Sequence, residues 1–251
     1  MRHSRERREQ ILIALAEGEA DVDVLAQRFG VSPSTVRRDL QRLSKEKAVM
    51  RTYGGAILAP SAVEETLAER EVRNIEAKQA IARAAAAYIQ DGETLILDGG
   101  STVTALAQLL RERTLRVITN NMKVAWMLTD APGISLILLG GTIRPISMTS
   151  YGPLAEEAMR TLTAARLFTS ADGVVAERGL CEATLEQASL KRLMMRQAAE
   201  TFILADSTKL GAASQSAWAS FPERWQLITD RHAPVEAIAP FIDAGGKVTQ
   251  A

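Results

Sequence analysis

Apolar positions along the chain fall first into helical and then into strand-like periods. Residues 5–17 set Arg, Glu and Gln around Ile11, Leu12 and Leu15 at helical spacing, which predicts a first helix. Asp21-Val22-Asp23 offers a cap to a second helix carrying Val24, Leu25 and Phe29, and Gly30 ends it. Ser32-Pro33 starts a third, with serine as N-cap and proline in the first helical position. There Val36, Leu40 and Leu43 make one apolar stripe, with Ser34, Thr35, Arg37, Arg38, Gln41 and Arg42 turned away from it. Two β-prone runs flanking Gly54-Gly55 then read as a hairpin.

A boundary is expected at Ala59-Pro60-Ser61-Ala62. Residues 63–88 are helical in pattern, charged at first and alanine-rich from Ile81 to Ala87, which predicts a connecting helix that ends packed on a second domain. Beyond Asp91, strand-like runs (Thr94–Leu97, Arg116–Thr119, Ser135–Leu139, Arg166–Ser170, Thr201–Ala205, Gln226–Thr229, Lys247–Thr249) alternate with helical ones. The helical runs are Thr102–Arg111, Met122–Leu128, Pro153–Thr161, Thr184–Glu200 and Val235–Ala244. Such alternation argues for a largely parallel sheet covered by helices. The expected division is a small winged helix-turn-helix over residues 1–59, a linking helix over 60–80 and an α/β domain over 81–251.

Composition narrows the class. The 251 residues are 47% hydrophobic and 24% charged, ordinary for a folded soluble chain. No run approaches the roughly 18 apolar residues of a membrane helix, and the polar N-terminus lacks a signal-peptide core, so a cytoplasmic protein with no membrane partner is expected. One cysteine, Cys181, excludes an internal disulfide and reads as a small buried filler. With only His3 and His232 beside it, no Cys/His metal site and no cofactor are expected. Lys+Arg and Asp+Glu balance at 30 each, yet residues 28–60 hold seven basic side chains against two acidic ones. A basic patch on a small segment calls for an anionic partner.

Double-stranded DNA fits that patch. A helix enters the major groove, Arg and Gln reach base edges in bidentate fashion, and Ser and Thr reach phosphates or bases. The candidate DNA-binding residues are Ser32, Ser34, Thr35, Arg37, Arg38 and Gln41, with Arg51, Tyr53 and Gly54 on a wing along the backbone or minor groove. A merely solvated basic face is the alternative for the helix alone. Asp39 is read either as holding a neighbouring arginine in pose or as an exposed helix acid.

In the second domain, Asp98-Gly99-Gly100-Ser101-Thr102 joins a strand to a helix. Glycines let backbone amides approach an anion, and the helix dipole favours negative charge there. The spacing matches neither the dinucleotide fingerprint nor the P-loop. Further polar residues fall at strand ends, where open α/β sheets place ligands: Asn120, Gly141 with Arg144, Asp172, and Asp206 with Lys209. Arg144 and Lys209 are candidates to neutralise a phosphate, while Asn120, Asp172 and Asp206 are candidates for sugar hydroxyls. Each taken singly is also an ordinary cap or turn residue. Tyr151 either touches a ligand or caps the following helix. Glu186 and Lys191 lie either in a stretch abutting the pocket or, the favoured reading, as an exposed pair, and Trp126, Trp218 and Trp225 read as packing residues.

The run Leu25-Ala26-Gln27-Arg28-Phe29-Gly30-Val31-Ser32-Pro33-Ser34-Thr35-Val36-Arg37-Arg38-Asp39-Leu40, followed by Arg51-Thr52-Tyr53-Gly54-Gly55-Ala56, resembles the DeoR family of bacterial transcriptional regulators. Asp98-Gly99-Gly100-Ser101-Thr102, Thr119-Asn120-Asn121, Gly140-Gly141, Ala171-Asp172-Gly173 and Ala205-Asp206-Ser207-Thr208-Lys209 resemble that family's sensor domain. The resemblance implies a ribose-5-phosphate isomerase-like fold, a phosphorylated sugar effector and a homo-oligomeric repressor of a sugar-catabolic operon, without catalytic residues. Ala165 and Ser170 depart from it, standing where the family often has Asp and Gly. The rival reading is a sugar-phosphate isomerase with an accessory DNA-binding domain, which needs a carboxylate base and a carbonyl-polarising group; Asp172 and Lys209 are the residues available for those roles.

Overall fold

The computed structural model describes residues 2–16, 21–45, 49–52, 55–58 and 64–251, which divide into a unit of residues 1–64 and another of residues 65–251. In the first, helices α1 (Arg2–Ala16), α2 (Val22–Phe29) and α3 (Pro33–Lys45) precede an antiparallel pair, β1 (Val49–Thr52) and β2 (Gly55–Leu58). The Asp21 carboxylate accepts from the amides of Asp23 and Val24 to start α2. Gly30, at φ 62°, ends it in the left-handed conformation that glycine adopts without strain. Ser32 caps α3: its Oγ accepts from the Thr35 amide at 3.3 Å. Val36, Leu40 and Leu43 are buried with Ile11, Ala14, Leu25 and Ala56.

Of two expectations about this unit, one changes and the other, on Asp39, resolves between its alternatives. Gly55 is the first residue of β2, paired with Thr52, so the expected Gly54-Gly55 turn does not stand as a unit. Asp39 is buried and faces α1, where Arg7 Nε donates to it at 2.7 Å and Arg8 lies 3.8 Å away. The arginine it poses comes from another helix, not from its own.

The expected single helix over 60–80 is replaced, within the described residues, by two helices, α4 (Leu67–Val72) and α5 (Ile75–Ala86), which belong to the larger unit. Thr66 and Glu69 form a capping box that starts α4. Asn74, at φ 52°, breaks the chain between the two, and its amide donates to Asp206 Oδ1 at 3.1 Å. The buried Lys78 ammonium donates to the carbonyls of Arg70 and Arg73, satisfying acceptors that the end of α4 leaves open. Burial, aided by the nearby Lys209 charge, lowers the Lys78 pKa to about 8.

All seven expected strands form. They are β3 (Thr94–Leu97), β4 (Leu115–Thr119), β5 (Ile134–Leu138), then β8 (Ala164–Thr169), β11 (Ala198–Leu204), β13 (Trp225–Thr229) and β14 (Lys247–Gln250). Between them come β6 (Thr142–Arg144), β7 (Thr149–Tyr151), β9 (Gly173–Val175), β10 (Gly179–Glu182) and β12 (Ala217–Ala219). The remaining helices are α6 (Ser101–Gln108), α7 (Met122–Leu128), α8 (Pro153–Arg160), α9 (Leu185–Gln197) and α10 (Val235–Asp243). The main sheet has order β14-β13-β11-β8-β3-β4-β5 and is parallel throughout.

Alternate strand residues feed two cores on opposite faces. Leu95, Leu97, Val117, Phe168 and Phe202 pack with α5, α6 and α7. Ile96, Ile118, Leu167 and Ile203 pack with α8, α9 and α10. Burial on both faces explains why these strands read as unbroken apolar runs. The chain enters at β3, builds outward to β5, and returns to β8 on the other side of β3. The strand order therefore reverses between β3 and β8, and a crevice opens there beyond the strand ends.

Helix α9 stops at Gln197, short of the expected Glu200, because Ala198 and Glu200 pair with Ala164 and Arg166 of β8. Trp126 is 82% exposed, so it is not a packing residue, whereas Trp225 stacks on Phe221 and Trp218 lies under the Arg178 guanidinium. Cys181 is buried, as its size suggested. No helix among the described residues is long and apolar enough to cross a membrane.

The Asp39 contact generates a first test. Asp39→Ala strands the Arg7 guanidinium in a partly buried site, and is expected to destabilise the smaller unit by about 1–2 kcal/mol. Hydrogen exchange at the Leu25 and Leu40 amides reads this directly; unchanged protection contradicts it.

Candidate functional site

On α3 the candidate DNA-binding side chains stand apart from the core. Ser32, Ser34, Arg37, Arg38 and Gln41 are exposed and Thr35 is half-buried, while Val36, Leu40 and Leu43 are buried. Ser32 Oγ also lies 2.8 Å from Ser34 Oγ and 2.9 Å from Thr35 Oγ1, so the three hydroxyls sit together at the start of the helix. That end carries the positive pole of the helix dipole and a cluster of donors, suited to a phosphate oxygen. The backbone of Arg51 lies in β1, while Tyr53 and Gly54 fall outside the described residues.

A second candidate site opens at the sheet's reversal point, as a partly open cavity. Six of the candidate effector residues line it: Asp98, Gly99, Gly100, Asn120, Asp172 and Lys209. Two glycines follow β3 for separate reasons. A Cβ on Gly99 would lie 2.7 Å from Thr149 Cγ2, and Gly100 adopts φ 122° as the N-cap of α6. No side chain caps that helix, so its first-turn amides are left for another partner.

The other five candidates lie elsewhere. Ser101 lines a separate cleft with Glu71, Lys78 and Lys123, and Thr102 is fully buried inside α6. Gly141 sits in the turn before β6 at φ 120°, where a Cβ would meet the Tyr151 carbonyl oxygen at 2.5 Å, which is reason enough for a glycine. Arg144, on β6, does not line the cavity. Asp206 is buried; it accepts from Thr208 and Asn74 and so braces the short turn that carries Lys209.

Several lining residues were not anticipated. Lys191, expected on the surface, is buried, while Glu186 is exposed. The Lys191 ammonium donates to Asp98 Oδ2, to Thr169 Oγ1 at 2.8 Å and to the Ser170 carbonyl at 2.6 Å, and lies 3.1 Å from Glu182 Oε1. Its spacing held a clue: it stands three residues after Ala188 and four before Met195, both buried on α9. Glu182 comes from β10, a strand too short to show a period. Arg70 comes from α4, a stretch read as a linker; its Nη1 donates to Asp172 Oδ1 at 3.2 Å. Tyr151, expected either at a ligand or as a helix cap, lines the cavity with Ser147, Thr149 and Gln187, while α8 takes no side-chain cap; Ser170 lies beside Gly100.

Three carboxylates (Asp98, Asp172, Glu182) and three cations (Arg70, Lys191, Lys209) thus line one partly open cavity. Burial pushes the Glu182 carboxyl up to about 7 in spite of the adjacent Lys191 charge. For Lys191 burial disfavours the charge, but Asp98 and Glu182 outweigh it and hold the ammonium above its ordinary value. Burial lowers the Lys209 pKa, against the pull of Asp206 and Asp172. Lys209 Nζ donates to the Ala171 carbonyl at 2.5 Å and lies 3.5 Å from Ser170 Oγ. The cavity can take an anion and several hydroxyl groups.

Two family models match the chain: a DeoR-like helix-turn-helix domain over residues 7–62 and a DeoR C-terminal sensor domain over residues 73–231. The HTH-type transcriptional repressor CsqR of Escherichia coli (strain K12) is 35% identical over 230 residues, covering 91% of this chain and 88% of that protein. The glycerol-3-phosphate regulon repressor of the same organism is 29% identical over 231 residues, 90% of each. Among solved structures, ribose 5-phosphate isomerase A from Methanocaldococcus jannaschii aligns with 54% of each chain at 19% identity and a TM-score of 0.41.

The Glu182 environment makes a pH prediction. Its carboxyl moves from 4.5 up to about 7 on folding, so between those values the folded chain holds a proton that the unfolded chain has released. This group's contribution to stability is complete below pH 4.5 and is lost as pH rises through 7. Melting midpoints across that window are expected to fall less steeply in Glu182→Gln than in the parent; equal slopes contradict the assignment.

Proposed function

The chain belongs to the DeoR family of transcriptional regulators, and from that membership we propose that it represses a sugar-catabolic operon until a phosphorylated sugar or sugar derivative fills the cavity beside β3. The observation that carries this reading is the pairing of two anion-seeking surfaces in one chain. One is the exposed Ser34-Arg37-Arg38-Gln41 face of α3, the other the cation-bearing cavity at the sheet's reversal point. The relative named for a glycerol-3-phosphate regulon supports a small phosphorylated polyol as the effector class. Its named full-length relatives are regulators, so the isomerase alternative falls: the chain is a regulator, not an enzyme.

In this reading α3 lies in the major groove of operator DNA. Ser32, Ser34 and Thr35 meet phosphates or bases, Arg37, Arg38 and Gln41 meet base edges, and Arg51, Tyr53 and Gly54 form the wing. The effector occupies Asp98, Gly99, Gly100, Asn120, Asp172 and Lys209. Ser101, Thr102, Gly141, Arg144 and Asp206 act around it by shaping α6, the β6–β7 hairpin and the Lys209 turn. A homo-oligomer in the cytoplasm presents two or more heads to paired half-sites, which multiplies affinity without new contacts. The effector loosens DNA by binding one arrangement of the assembly more tightly than the other.

Two substitutions separate the surfaces. Arg38→Ala is expected to weaken specific binding to the upstream region of the protein's own operon by about ten- to a hundredfold, and to leave stabilisation by the effector intact. Loss of both would show an unfolded variant. Gly100→Asp is expected to abolish the response to a panel of phosphorylated sugars while DNA binding persists, which also controls for strain at φ 122°. A persisting response would put the anion site elsewhere.

A further inference from the structure

We propose that Arg70 grips the phosphate of the effector, and that this grip makes α4 the ligand-responsive element closest in sequence to the DNA-binding unit. The proposal rests on the cavity being the effector site, and adds which residue reads the phosphate and which helix the reading moves.

The guanidinium of Arg70 is largely buried in the cavity wall. Nη1 is spent on Asp172, but Nε and Nη2 are both shielded from solvent and have no hydrogen-bond acceptor. Those two nitrogens share one edge of the planar group, the edge that presents two parallel N–H donors to a pair of oxygens. A guanidinium cannot shed its charge, so two unpaired donors there are costly until an acceptor pair arrives. Asp172, holding the third nitrogen, fixes the plane in which the fork is offered. The other two cavity cations are already engaged. Lys191 is consumed by Asp98, Glu182, Thr169 and a carbonyl, while Lys209 gives one donor to the Ala171 carbonyl and offers the ligand a point charge rather than a paired fork. A phosphate monoester offers the two oxygens that the fork needs.

Arg70 stands on α4, which begins at Leu67, three residues beyond the end of the smaller unit. The helix is tied to the rest of the larger unit by the buried Leu67 and by Lys123, which donates to Glu71. The Leu67 amide donates to the Ile146 carbonyl at 2.8 Å, and Lys78 of α5 gathers the carbonyls of Arg70 and Arg73. A ligand bound through the Arg70 side chain therefore acts on the backbone of the segment that follows the DNA-binding unit.

The test uses the full chain, with Arg70→Lys (charge kept, fork lost) and Arg70→Gln, probed with glycerol 3-phosphate, ribose 5-phosphate and inorganic phosphate. Titration calorimetry on the parent is expected to find binding of at least one probe, weakened about tenfold in Arg70→Lys and further in Arg70→Gln. Ligand-free melting of each variant is measured alongside, so that any loss from the Asp172 ion pair is read separately from the loss of ligand binding. Hydrogen exchange at residues 67–72 is expected to slow on ligand binding in the parent, and to stay unchanged in Arg70→Lys at matched occupancy. Parent-like affinity in both variants, with Gly100→Asp inactive, would overturn the role of Arg70 and leave the cavity reading standing. Weakened binding with equal slowing at 67–72 would overturn the coupling through α4. No binding of any probe to the parent would sink the cavity reading, and this proposal with it.

Discussion

One ammonium group organises the larger unit. Lys191 reaches from α9 to the end of β3 through Asp98, to the end of β8 through Thr169 and the Ser170 carbonyl, and to β10 through Glu182. Those segments meet where the strand order turns back on itself, which is where a parallel sheet has an open crevice and needs something to fix its rim. A buried lysine is tolerated there only because two carboxylates and two oxygen acceptors surround it. The same contacts hold Asp98 on the floor of the cavity. Asp98 Oδ1 then accepts from the Gly99 amide at 2.6 Å, so the glycine turn inherits its position from the ion cluster. The shape of the site follows from the packing of the fold, before any ligand is considered.

Much of this was legible in the residues, and the unread part has a common cause. The central strands of the main sheet announce themselves because both faces are buried and short apolar runs such as Leu95-Ile96-Leu97 and Phe202-Ile203-Leu204 result. The caps at Asp21 and Ser32 are local chemistry, so Ser32-Pro33 located α3 to the residue. The short strands β6, β7, β9, β10 and β12 span three or four residues each, too few for a period, and pairing alone defines them. That is why Glu182 escaped the first list, and why Tyr151 was left between two roles. Arg70 escaped because long-range contacts recruit α4 to the larger unit, whereas its own sequence is charged and looks like a connector. Lys191 was misread for the opposite reason: a lysine on a helix is normally solvated, and only its place among buried neighbours argues otherwise.

The glycines show how one residue type serves unlike needs. Gly30 and Gly100 are required by backbone conformation, while Gly99 is required by the side chain of Thr149 pressing from β7. A glycine pair in a loop is therefore weak testimony for an anion site by itself. The case for one here comes from the company it keeps: an uncapped helix start and a set of charges drawn from α4, β10, α9 and the turn after β11.

Among the described residues, buried apolar side chains fall into three clusters, and the one in the smaller unit draws on residues 11–56, apart from the two that sandwich the main sheet. Each part therefore draws its cohesion from its own interior. Sequence drift in the reading head leaves the interior of the sensing part untouched, and the reverse holds as well. A lineage can retarget such a protein to new promoters while keeping its metabolite, or change the metabolite while keeping its promoters, without first rebuilding a shared foundation.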